Sequence, residues 1–148
     1  MPRKKSALPK GFFDRVAKLR QRISAGIQQG FGVVRDLDMT LAQALALFHL
    51  GESGPASVSE LMAVVGRSQS STSALVDQLE ARGFVVREVS ATDGRRRDVC
   101  LTEAGRKVVD QVEAARREGL ERALEGVPAE VLARYDAALA ELLDALPP

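Results

Sequence analysis

The 148-residue chain is long enough for one compact domain with helical extensions, and its hydrophobic fraction of 45% argues against wholesale disorder. Its net charge is only +1, and its single cysteine excludes an internal disulfide framework and suits a reducing cytoplasm. The longest apolar run, Leu41 to Leu50, is interrupted by Gln43 and His49 and is too short to span a bilayer.

Met1 to Lys10 is basic with no apolar core behind it, so no signal peptide is expected. An apolar face then recurs at spacings of three and four through Val16, Leu19, Ile23, Ile27, Phe31 and Val34. This predicts a helix from about Asp14 to Val34, roughly 30 Å long. Gly26, Gly30 and Gly32 lower its propensity and point to fraying or a kink near its end, or to close approach of another helix. A second helix starts at the capping box Thr40 to Gln43 and carries Leu41, Leu45 and Phe48 before stopping at Gly51 to Pro55.

Ser57 and Glu60 offer another cap for a short third helix that ends at Gly66. Ser68 caps a fourth, with Thr72, Leu75, Val76 and Leu79 as its buried stripe and Gly83 as its left-handed stop. The period then changes. Phe84 to Val89 is β-prone, Ser90 to Arg97 is a polar turn, and Asp98 to Leu101 returns as a short strand. Thr102 opens a long helix through Val108, Val109, Val112, Leu120 and Leu124, and Gly126 closes it. Pro128 begins a last helix carrying Leu132, Tyr135, Leu139, Leu142 and Leu146.

The expected fold is mainly α with a small β-hairpin wing: a winged helix-turn-helix domain flanked by long dimerisation helices. Residues 1–38 form a basic arm and dimerisation helix, 39–103 the DNA-binding domain, and 104–148 the C-terminal dimerisation helices. The central domain is too small to cover the apolar faces of the outer helices. A two-fold homodimer would cover them, and internal bundling within one chain is the competing arrangement. Charge is unevenly placed. Residues 1–22 carry eight Lys or Arg against one acid, and 82–107 carry seven against four, whereas 108–148 hold nine acids and four bases. Such a chain can turn a positive face to phosphates, and a solvated mixed-charge surface accounts for the same counts equally well.

Three stretches carry a more specific signal: Ser59 to Gly66, Ser70 to Gly83, and Asp93-Gly-Arg-Arg-Arg followed by a strand and Leu101-Thr-Glu-Ala-Gly105. They resemble the MarR family of bacterial transcription regulators across the central half of the chain. The last stretch is the strongest, because it links a wing tip to the next helix at fixed spacing. The resemblance implies a cytoplasmic regulator, a repressor in the first reading. It would bind a pseudo-palindromic site on double-stranded DNA as a homodimer and be released by a small aromatic or phenolic effector.

On this reading Ser68, Gln69, Ser70, Ser71, Ser73 and Ala74 line the recognition helix. Small hydroxyls and an amide suit close entry into the major groove, and Gln69 can pair bidentately with adenine. Ser68 would also cap the helix and Ser71 contact phosphate, although capping and solvation alone would account for these serines. The resemblance places Arg95 at the wing tip, in the minor groove. Arg96 and Arg97 reach phosphates, and Asp93 holds the turn. Where the family often has an apolar residue, this chain has Arg67, and no Lys or Arg lies between Ser68 and Ala81. Asp77 either accepts from cytosine or pairs with Arg95 in the free protein, and the pairing is the preferred expectation.

Ile27, Phe31, Leu45, Phe48, His49 and Val112 are the candidate effector pocket, with ordinary core packing as the alternative. His49 on an inward face is more often a hydrogen-bonded core residue. Cys100 sits on the returning wing strand, where a structural role is expected rather than oxidant sensing. One histidine and one cysteine cannot make a four-ligand zinc site, the serines lack a partnered histidine, and the glycines near 26–32 lack a phosphate-loop lysine. No metal, no cofactor, no membrane contact and no enzymatic activity are expected. The runner-up is a protein-interaction adaptor that keeps the winged-helix fold without specific DNA binding, motivated by the weakly basic recognition helix.

Overall fold

The computed structural model describes residues 8–90 and 94–146, with the backbone alone over 25–31. Helices α1 (Phe12–Asp36), α2 (Leu41–Ser53), α3 (Val58–Val65) and α4 (Gln69–Ala81) come first. The hairpin β1 (Val85–Val89) and β2 (Arg97–Leu101) follows, and then α5 (Glu103–Ala123) and α6 (Ala129–Ala145). No described helix is long and apolar enough to cross a membrane.

Side chains set the starts of α2, α3, α4 and α5. At α2, Gln43 N donates to Thr40 Oγ1 at 3.2 Å while Thr40 N donates to Gln43 Oε1 at 2.9 Å, a reciprocal capping box. Ser57 and Glu60 repeat the arrangement at α3, with distances of 3.2 and 2.6 Å. Ser68 Oγ accepts from Ser71 N at 3.3 Å to open α4, and Gly83 at φ 74° terminates it. The glycines of α1 do not interrupt it. The helix runs through Gly26, Gly30 and Gly32 to Asp36 and lies along α5.

The core gathers Leu47 and Leu50 from α2, Leu61 from α3, and Leu75, Val76 and Leu79 from α4. Val85 and Val99 join from the hairpin, and Val108, Val109 and Val112 from α5. The buried face of α2 is not the expected one. Ala42, Ala46, Leu47 and Leu50 face inward, while Leu41 is 59% exposed and Leu45 37% exposed. Small residues let α2 sit close to its neighbours at the centre of the domain. At Gly51 a Cβ would fall 2.9 Å from a Val109 methyl, so the two helices nearly touch there.

The β1–β2 hairpin is antiparallel, with Val85 opposite Leu101 and Val89 opposite Arg97. A further bridge joins β2 to the α2–α3 turn. Ala56 N donates to Val99 O at 3.1 Å, and Val99 N donates to Ala56 O at 2.8 Å. The Leu-Thr-x-x-Gly stretch has a direct structural reason. Thr102 Oγ1 donates to Gly83 O at 2.6 Å while accepting from Gly105 N at 3.1 Å, so one hydroxyl ends α4 and starts α5. Phe84 O accepts from Thr102 N at 3.1 Å, and it lies only 2.0 Å from where a Cβ on Gly105 would be. Only glycine lets the first turn of α5 pass beneath that carbonyl.

At the other end, α6 buries none of its residues, and Leu142, Leu143 and Leu146 are at least half exposed. Phe13 on α1 is 76% exposed.

Gly105→Ala should destabilise the fold by about 3 kcal/mol, the upper part of the overpacking range, because the obstructing atom is backbone. Urea unfolding checks it. A variant within about 0.5 kcal/mol of wild type would contradict the close approach.

Candidate nucleic-acid interface

Helix α3, the turn at Gly66 (φ 64°) and α4 make the helix-turn-helix, with Arg67 exposed in the turn. Thr72, Leu75, Val76 and Leu79 are all buried, which fixes the rotation of α4 about its axis. Thr72 resolves its own polarity in the core by donating its hydroxyl to Ser68 O at 2.9 Å. The outward face therefore shows Gln69, Ser70 and Ala74, with Ser73 half-buried at its margin. Ser68 Oγ also donates to Ser71 Oγ at 3.0 Å and lies 3.2 Å from Ser70 Oγ, so the serines form a polar cluster over the helix start.

Helix α4 has two acids, Asp77 and Glu80, and neither lysine nor arginine. The expected Asp77–Arg95 pair is not what forms. Asp77 Oδ1 accepts instead from Arg87 Nη2 on β1, at 2.6 Å. The same guanidinium pairs through Nη1 with Glu80, and Glu80 Oε1 also accepts from Arg87 N at 3.1 Å. Arg87 is nearer because it stands on the face of β1 shared with Val85, directly against α4. Burial works against the charge of Arg87, but the hydrogen bonds it donates to Asp77 and Glu80 outweigh it and hold the guanidinium above its ordinary pKa.

The wing arginines have different surroundings. Arg95 and Arg97 are exposed beside the turn. Arg96, expected to reach phosphate, is exposed as well but paired beside the hairpin: its Nε lies 2.9 Å from Asp98 Oδ1, and its Nη2 lies 4.0 Å from Glu60. Arg96 O accepts from Ser90 N at 2.8 Å and closes the hairpin below the tip. Asp93 lies outside the described residues.

Hydrogen bonds from Ser57, with a smaller contribution from Arg96, hold the Glu60 carboxyl below its usual value. Asp98 is held down chiefly by the Ser90 hydroxyl and then by Arg96. The Cys100 thiol is pushed up by burial and by Glu88, whose Oε2 is 3.7 Å from its sulfur. It is thus poorly suited to form the reactive thiolate of an oxidant sensor.

The candidate effector residues do not share one environment. Val112 is in the core, Phe48 lies beneath the Arg116 guanidinium 5.0 Å from its ring centroid, His49 is half-buried, and Leu45 faces outward. The side chains of Ile27 and Phe31 lie outside the described residues. Among those described, no group of three His, Cys, Asp or Glu is placed to hold a metal ion.

Sequence patterning gives no site role to Arg87, Glu80 or Asp98, and it marks Glu60 only as a helix cap. The usable signal was parity: Arg87 alternates in register with core-facing Val85, where an arginine needs buried partners.

The sequence profile of the MarR family matches residues 37–96. A helix-turn-helix-type transcriptional regulator of Bacillus subtilis, YfiV, is 40% identical over 72 residues, which are 49% of this chain and 45% of that protein. The chain thus matches less than half the length of that relative. A MarR family protein from Bacillus stearothermophilus superposes with a TM-score of 0.72 at 27% identity, covering 93% of this chain and 97% of that one. A transcriptional regulator from Thermotoga maritima gives a TM-score of 0.77 at 24% identity, covering 92% and 94% respectively.

Glu60 and Asp98 have lowered pKa values in the folded state, so their stabilising effect is present above the ordinary carboxylate range and is lost as pH falls through the lowered values. Glu60→Gln keeps the capping oxygen but removes the charge. Its Tm should therefore lie below wild type at neutral pH and converge with it in acid. A gap that stays constant with pH would contradict this role.

Proposed function

We propose that the chain is a regulator of the MarR family, whose profile matches its residues 37–96, and that it regulates transcription by binding operator DNA as a homodimer. The observation that carries the reading is the outward face of α4. Gln69, Ser70, Ser73 and Ala74 are small or uncharged and project from a helix whose opposite stripe is locked in the core. A helix so presented fits the major groove, and the arginines at the adjacent hairpin reach the flanking minor groove and backbone.

Residues 39–103 act as the DNA-binding unit. Phosphate affinity comes from Arg67, Arg95 and Arg97 and from the basic N-terminal segment, because α4 supplies none. Residues 1–38 and 104–148 act as the dimerisation frame. Its support is the apolar surface that α6 leaves exposed at Leu142, Leu143 and Leu146, together with Phe13 of α1. Two-fold pairing of such faces sets two α4 helices against one pseudo-palindromic site. Repression follows if that site overlaps a promoter, and the protein would then work in the cytoplasm. A small aromatic effector would act between the dimerisation helices and the domain, a reading supported by the half-buried Phe48 and His49 of α2 beside α5.

The test is a titration against the DNA upstream of the chain's own gene and a scrambled duplex, at two salt concentrations. Specific binding that weakens with salt is the expected result. Arg95→Ala should then lower affinity for all sequences, whereas Gln69→Ala should relax discrimination at one base pair by about 1–3 kcal/mol. Equal binding to both duplexes would sink this reading and favour the adaptor.

A further inference from the structure

Helix α4 presents a difficulty for a DNA-binding surface. It has no cation, and Asp77 continues the outward face of Ser70, Ser73 and Ala74 by one more turn, with its side chain 63% exposed. Glu80, one turn on, is 38% exposed. Two carboxylates beside a groove lined with phosphates would oppose docking. Among the described residues, the cation in contact with both is Arg87, itself only 21% exposed.

We propose that Arg87 is a positioning residue for DNA binding, which screens Asp77 from the phosphates and sets the hairpin against α4 through Glu80. This rests on the DNA-binding reading above. Each half of the role has its own contact. The 2.6 Å pair with Asp77 places positive charge at the exposed end of the recognition face. Glu80 accepts from both the backbone N–H and the guanidinium of Arg87, gripping β1 at main chain and side chain together. Glu80 lies on the side of α4 turned toward β1, whereas Asp77 lies on the side turned to solvent. One arginine thereby couples the angle of the wing to the charge of the helix. Because Arg87 is mostly covered and both partners occupy its guanidinium, it is not a phosphate contact of the kind assigned to Arg95 and Arg97.

A charge-rescue cycle tests this in the full chain, using the duplex upstream of its own gene. Arg87→Met should reduce affinity by about ten-fold or more at low salt, and the loss should shrink as salt screens the exposed carboxylate. Adding Asp77→Asn should restore most of that loss, while Asp77→Asn alone should bind at least as well as wild type. Arg87→Gln, which also removes the charge, gives the same comparison with and without Asp77→Asn if Arg87→Met does not fold by circular dichroism.

A direct phosphate contact predicts no rescue, because the missing contact stays missing. A purely structural role predicts a fall in Tm that tracks the fall in affinity and is insensitive to salt. Either result overturns the proposal, as does unchanged binding by Arg87→Met. Failure of the wild-type chain to bind that duplex specifically would instead overturn the DNA-binding reading itself.

Discussion

A two-stranded hairpin has too little apolar surface to hold its own orientation in water. Everything the wing contributes depends on how it is fastened to the helices behind it. Val85 and Val99 anchor it in the core, and polar contacts from three directions set its angle. Main-chain bonds between Ala56 and Val99 tie β2 to the α2–α3 turn. Thr102 and Gly105 seat the start of α5 under the Phe84 carbonyl. Two arginines then each span a pair of carboxylates: Arg87 between Asp77 and Glu80, and Arg96 between Glu60 and Asp98. Such bridges are partly covered, so they resist screening better than the exposed pairs of α5, Lys107–Glu103 and Arg122–Glu118.

These attachments explain an odd division of labour. A recognition helix usually profits from its own cations, but α4 is polar at its start and acidic toward its end. Its hydroxyls and amide suit base edges, where hydrogen-bond pattern decides the sequence read. Charge is left to neighbours on other elements, whose positions must then be rigid. An arginine at the tip is useful only if the strands beneath it hold a fixed angle to the helix. Glu60 joins two of these tasks, since it completes the cap of α3 and faces Arg96 of the hairpin. A weakened cap would thus be felt at the wing.

Much of this was legible in the sequence. Thr40 with Gln43, Ser57 with Glu60, and Ser68 before its apolar stripe marked helix starts because local hydrogen bonds need those residues at those spacings. Gly83 and Gly105 were visible as glycines, but only the fold shows why Gly105 admits no other residue. Two features were misread or missed for physical reasons. The stripe Leu41–Leu45–Phe48 looked like the buried face of α2, yet the tight centre of the domain favours the alanine side and leaves Leu41 and Leu45 outside. Pairing Asp77 with Arg95 answers the repulsion that an unpaired acid facing DNA would meet. Strand parity instead brings Arg87 against α4, and pairing across elements is set by register, which a linear sequence does not display. The Ala56–Val99 bridge is a single pair, too short to leave any periodic trace.

The central claim is that two rigid α4-plus-wing units, related by the proposed dimer axis, read one DNA site. Chemical footprinting of the full chain on its own upstream DNA tests it most directly. The account predicts two protected major-groove segments about one helical turn apart, near 10 bp centre to centre, each flanked on its outer side by minor-groove protection from a wing. Protection of a single segment, or uniform protection along the duplex, would contradict it.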